Sequence, residues 1–167
     1  MYHIENDGRL KCKGGNGVKK YLLIALTLML FALVGCSKEE MSGERPPMVH
    51  VNIGDESYEA KLGTYCWKNG CVDTAGPVEL LEGKEPIKVK PGETITFVMD
   101  YNPKPNTFHL LQINEGEENE IMIEDDRFSA PTNKGVYYYS YGVWWLDDKD
   151  ENVSNGDAFY SFSLEVE

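Results

Sequence analysis

The sequence predicts an all-β fold, an antiparallel sandwich built from residues 48–167. Three observations lead there. Apolar residues alternate with polar ones at a period of two along most of that stretch, the pattern of half-buried strands. Clusters of Gly, Pro, Asn and Asp interrupt the alternation at short intervals, as turns do. Seven to nine short strands fit into about 120 residues, a density that suits a sandwich.

The elements follow in order. Val49, Val51 and Ile53 alternate with His50 and Asn52. Ile87 and Val89 alternate with Lys88 and Lys90, and Pro91-Gly92 then supplies a turn. Ile95, Phe97, Met99 and Tyr101 alternate with Thr94, Thr96, Val98 and Asp100. Phe108–Ile113 is more continuously apolar, as a central strand is. Glu120–Glu124 is short, Val136–Leu146 long and aromatic. Ala158, Tyr160, Phe162, Leu164 and Val166 close the chain in clean alternation. The phrase Ile87-Lys-Val-Lys-Pro-Gly-Glu-Thr-Ile-Thr-Phe97 resembles a strand pair of immunoglobulin-like and cupredoxin-like sandwiches, and Gly135-Val-Tyr-Tyr-Tyr139 resembles a late strand of the same folds. The resemblance implies an immunoglobulin-like architecture and says little about activity, because sandwiches host many functions.

Ahead of the domain lies a leader. Tyr21–Val34 is apolar for fourteen residues, too short for a spanning helix and right for a signal-peptide core. Lys19 and Lys20 precede it. Leu33-Val34-Gly35-Cys36 resembles the lipobox of bacterial lipoproteins, matching all four positions. The resemblance implies a diacylglycerol thioether on Cys36, cleavage before it, and an anchor on the extracytoplasmic face of the membrane, as in Gram-positive lipoproteins. Two acyl chains hold stably where one holds marginally. Residues 1–35 are thus expected to be the signal peptide. Residues 1–17 fit such a leader poorly, since they include Glu5, Asp7 and Cys12, and read as an extension upstream of a start near Val18. Ser37–Pro47 is polar, with Gly43, Pro46 and Pro47; residues 36–47 read as a lipid-anchored flexible tether.

From Cys36 onward, eleven Lys and Arg face 26 Asp and Glu, a formal charge of −15. Such a surface repels phosphate backbones, which argues against nucleic acid as a partner, and it repels anionic lipid headgroups. Past Cys36 only Cys66 and Cys71 remain. They flank Trp67-Lys68-Asn69-Gly70, and Asn-Gly is a tight-turn signal. In an exported chain the pair reads as a disulfide across a hairpin, with Trp67 packed on it.

Four candidate sites follow. A cupredoxin resemblance implies copper, but a blue-copper centre needs a Cys and a His near Tyr139–Trp145, and neither is there. His50 and His109, with Met48, Met99 or Met122, remain as a weak soft-metal set. Asp148, Asp150 and Asn152 have the spacing that opens a calcium loop, but Val153 stands where Gly is required and Phe159 where Glu is required. In Val136–Trp145 aromatic residues occupy both parities. With Val136, Tyr138 and Trp144 inside, Tyr137, Tyr139, Tyr141 and Trp145 form an exposed platform for a glycan or a protein of the cell envelope, unless a loop such as Phe128–Asn133 covers them. No hydrolase or phosphate-loop motif is present, and no cofactor is expected. The expectation is a non-enzymatic binding or interaction module on the membrane surface, with a copper- or calcium-handling lipoprotein as the alternative.

Overall fold

The computed structural model describes residues 41–68 and 70–167. The leader, Cys36 and the first tether residues lie outside the described residues. Among the described residues eleven strands run in chain order: β1 (His50–Ile53), β2 (Glu56–Glu59), β3 (Lys61–Trp67), β4 (Gly70–Val72), β5 (Ile87–Val89), β6 (Thr94–Val98), β7 (Thr107–Asn114), β8 (Glu117–Ile121), β9 (Arg127–Ser129), β10 (Gly135–Asp147) and β11 (Asp150–Val166). Among the described residues there is one short helix, α1 (Pro77–Leu80), which starts on a proline that suits a first turn.

The strands form two sheets. The smaller has the order β2-β1-β6-β9, the larger β4-β3-β11-β10-β7-β8, with β5 added parallel to β11. All other pairings are antiparallel. The inner faces meet in one core. Val49, Val51, Ile95, Phe97 and Phe128 from the small sheet pack against Tyr139, Tyr141, Val143, Tyr160, Phe162 and Leu164 from the large one. Aromatic stacking knits the layers: Phe97 lies on Tyr141 at 4.0 Å between ring centroids and 2° between planes, and Tyr139 lies on Phe162 at 4.8 Å and 5°. Offset and edge-on aromatic contacts of this kind add to the area they bury.

Two expectations about layout need correction. The Ile87–Phe97 phrase is not a strand pair. β5 joins the large sheet through β11, β6 joins the small sheet through β1, and the turn at Gly92 (φ 71) carries the chain from one layer to the other. The tether is not free along its whole length. From Met41 the chain is docked on the sandwich: Ser42 N donates to Tyr101 Oη (2.7 Å), Tyr101 Oη donates to Ser42 O (3.0 Å), Trp67 Nε1 donates to Gly43 O (3.3 Å) and Tyr160 Oη donates to Pro47 O (2.6 Å). Pro46 is buried. Aromatic side chains at this end need acceptors for their polar tips, and the carbonyls of a glycine- and proline-rich segment supply them.

Candidate functional site

The aromatic strand β10 decides where a site can lie. Its burial alternates, but with the parity opposite to the expected one. Tyr137, Tyr139, Tyr141 and Trp145 are the buried set, at 7%, 0%, 4% and 3% exposure, so they do not form a surface platform. The whole small sheet covers them, with Phe128 of β9 against Tyr139 (5.3 Å) and the Asn133 carbonyl accepting from Tyr137 Oη (3.0 Å). The reason is partner register. Tyr139 pairs with Phe162, Tyr141 with Tyr160 and Val143 with Ala158. The alternation at the C-terminus is unambiguous, and it pulls the odd residues of β10 inward with it.

The even residues therefore face outward: Tyr138, Ser140, Gly142 and Trp144. Beside them on β11 stand Phe159, Ser161 and Ser163. Trp144 and Phe159 meet edge to face at 5.3 Å and 87°. They lie over Gly142, where an added Cβ would come within 2.7 Å of the Trp144 ring and 2.9 Å of the Phe159 ring. Next to this pair a pit of about 270 Å³ opens in the outer face of the large sheet. Its floor is the cross-strand pair Ser140 and Ser161. Gly63 and Thr64 of β3, Phe159, and the segment Thr74–Pro77 form its walls. That segment is tied down where Thr74 N donates to Thr64 Oγ1 (3.1 Å) and Thr74 Oγ1 donates to Ala75 O (3.1 Å). Ser161 is 4% exposed, and among the described residues neither its hydroxyl nor that of Ser140 has a hydrogen-bond partner. No charged side chain lines the pit.

Cys66 and Cys71 face each other directly across β3 and β4, with Sγ atoms 2.01 Å apart, a disulfide. The Cys66 N–H donates to Asp157 Oδ1 (3.3 Å). Burial raises the Asp157 pKa, and this hydrogen bond works against the rise. Trp67 does not pack on the disulfide. It is one residue along, so it points to the other face and joins Trp145 (5.0 Å) and Tyr101 (5.8 Å) in the core.

The weak metal sets do not assemble. His50 sits on the small sheet between inward Val49 and Val51, so it faces out from that layer. His109 is on the large sheet beside inward Leu110, faces out on the other side, and lies 3.1 Å from Glu120. Two packed sheets separate them. Asp148, Asp150 and Asn152 lie exposed at the β10–β11 hairpin. There the Asp150 carboxylate accepts from the Asn152 backbone and side-chain amides (both 3.1 Å). Among the described residues no three His, Cys, Asp or Glu converge as a ligand group.

Sequence reasoning missed the pit. β3 was legible only at its Cys–Asn-Gly end, and the segment that walls the pit shows no periodicity. Comparison with known families finds no matching family model, and comparison with curated proteins finds no match.

Proposed function

We propose that this chain is an extracytoplasmic lipoprotein, anchored through diacylglycerol on Cys36, whose sandwich is a non-enzymatic module that binds neutral sugar units of the cell envelope. The lipobox resemblance at Leu33-Val34-Gly35-Cys36 supports the address. The observation that carries the binding half is the pair of unspent hydroxyls, Ser140 and Ser161, on the floor of the outer pit. A hydroxyl both donates and accepts, so two of them suit a ligand that is itself a ring of hydroxyls. Phe159 offers an aromatic face to the apolar side of a sugar ring. The uncharged lining favours a neutral ligand, and the charge of −15 around it disfavours anionic polymers.

The test has two arms. Cys36→Ala should lose lipid labelling and leave the membrane fraction or remain unprocessed; continued labelling defeats the anchor. Detergent-solubilised full chain should bind soluble, uncharged envelope oligosaccharides, and Ser140→Leu, which fills the pit from its half-exposed side, should abolish that binding. Equal binding by wild type and Ser140→Leu defeats the pit as the site.

A further inference from the structure

A second concavity opens on the side of the sandwich, where the chain crosses from β6 to β7. It holds about 420 Å³, within the range of small-molecule sites. Its floor is the Phe97–Tyr141 stack. Phe108 stands at its rim. It pairs with Val143 and so has the inward parity, yet it is 44% exposed. The sandwich leaves an aromatic face there without a protein partner.

The cleft also holds polar groups that do not pair with one another. Tyr141 is 4% exposed, and its hydroxyl has no hydrogen-bond partner among the described residues. Its neighbours all have one: Tyr137 donates to Asn133 O (3.0 Å), Tyr139 to Gln112 Oε1 (3.0 Å) and Tyr160 to Pro47 O (2.6 Å). Among the described residues no fully buried side-chain polar atom lacks a partner, so this oxygen meets solvent in the cleft, and a ligand seated there must supply the bond that water makes. Asp126 lines the same cleft. It sits in the tight turn Glu124–Arg127, with φ of 49° at Asp125 and 60° at Asp126, a left-handed conformation that favours Asn and Gly. Asp126 O accepts from Phe97 N (2.8 Å), which fixes the turn on β6. Lys104 lines the cleft as well, its Nζ bonded to the Met99 carbonyl. No ion pair joins Asp126 to Lys104, so the two do not neutralise each other.

An aromatic floor, one carboxylate, one ammonium and one unspent phenol have a definite complement: a dipolar ion with an apolar body. We propose that this cleft binds a free α-amino acid with an aromatic or branched apolar side chain. The ligand's ammonium meets the Asp126 carboxylate and the Tyr141 oxygen, its carboxylate meets Lys104, and its side chain covers Phe108. The ammonium beside Phe97, Tyr141 and Phe108 gains from their ring faces as well as from the carboxylate. This site is separate from the outer pit, and it does not depend on the sugar reading.

Titration calorimetry of the solubilised full chain tests it with three probes: L-phenylalanine, 2-phenylethylamine, which lacks the carboxylate, and 3-phenylpropionate, which lacks the ammonium. L-Phenylalanine should bind saturably and at least about tenfold more tightly than either analogue, the loss expected for one charge-assisted contact. Asp126→Asn should weaken L-phenylalanine about tenfold and leave 3-phenylpropionate unchanged; Lys104→Met should weaken L-phenylalanine and leave 2-phenylethylamine unchanged. Both residues are exposed, so neither variant threatens the fold. Ser140→Leu, in the other site, should not alter L-phenylalanine binding. Absence of saturable L-phenylalanine binding, or equal affinity for all three probes, overturns the proposal.

Discussion

The tether end and the cleft side of the sandwich are built from the same kinds of residue and finished differently. At the tether end Trp67, Tyr101 and Trp145 pack edge to face, and each polar tip finds a backbone carbonyl: Gly43 O, Ser42 O and Pro103 O. At the cleft side Phe97 and Tyr141 stack at 4.0 Å and Phe108 lines the same cleft, yet the Phe108 ring stands open and the Tyr141 phenol has no hydrogen-bond partner among the described residues. The difference lies in the chain that passes over them. An irregular segment with its carbonyls unspent crosses the first cluster. The β6–β7 crossover skirts the second without covering it. Aromatic packing alone does not close a sandwich; a strand or a segment with free acceptors must lie over it.

The largest effect should separate the two regions outright. Trp145→Ala removes a ring that is 3% exposed and orphans the Pro103 carbonyl, which accepts from Trp145 Nε1 at 2.7 Å. It should cost about 3–5 kcal/mol in chemical denaturation. Phe108→Ala, at an open rim, should cost less than about 1 kcal/mol. Equal losses would mean that the cleft is as closed as the tether end.

Next comes the close approach at Gly156. A Cβ there would lie 2.6 Å from Met41 Cε and 2.9 Å from Trp67 Cε3. Met41 ends in a flexible side chain and can yield, whereas the Trp67 ring is held by Trp145 and Tyr101. Gly156→Ala should therefore destabilise by about 1–3 kcal/mol and shift the near-ultraviolet signal of the indoles. A variant as stable as the parent would show that the tether end is looser than its contacts imply.

Strand positions were legible because Val49, Val51 and Ile53, or Tyr160, Phe162 and Leu164, alternate with polar residues and leave one choice of inner face. The disulfide hairpin was legible from Asn69-Gly70 between two cysteines. β10 was not, because Tyr138 and Trp144 are as apolar as Tyr139 and Trp145, and parity then depends on the partner strands. Both concavities depend on pairings distant in sequence: Ser140 with Ser161, and Tyr141 with a turn at Asp126. No local pattern marks such meetings. The docking of the tether was hidden for a related reason, since its acceptors are backbone carbonyls, which every sequence has.

Alkali offers a third test, smaller per group. Burial pushes the phenols of Tyr139, Tyr141 and Tyr160 well above their ordinary value of 10.0. Tyr137 adds to the rise at Tyr139, Asp126 to that at Tyr141, and Tyr141 to that at Tyr160. Below pH 10.0 both states hold these protons and stability is unaffected. Above it the unfolded chain releases them and the folded chain keeps them, so stability falls as pH rises. The expected slope is about 1.4 kcal/mol per pH unit for each phenol. Tyrosinate absorbance recorded through an alkaline titration should show these three ionising only as the fold is lost. A phenol that ionises within the folded protein would have to be reached by solvent, and Tyr141, at the floor of the cleft, is the one to watch.

The smallest effect is the most discriminating. Tyr160→Phe and Tyr141→Phe each remove one oxygen from directly paired positions on β11 and β10. In the first the Pro47 carbonyl loses its donor, which should cost about 1 kcal/mol and loosen the tether. In the second no protein partner is lost, and the hydroxyl removed is one that meets solvent in the cleft. Stability should then change by no more than about 0.5 kcal/mol, with a slight gain as readily as a loss. A double-mutant cycle checks that the two positions do not mask each other through their contact. If Tyr141→Phe costs as much as Tyr160→Phe, the Tyr141 hydroxyl is satisfied within the fold and the cleft loses the polar group that distinguishes it from an ordinary packing gap. If it costs nothing while weakening L-phenylalanine, that oxygen is kept for a ligand and not for the fold.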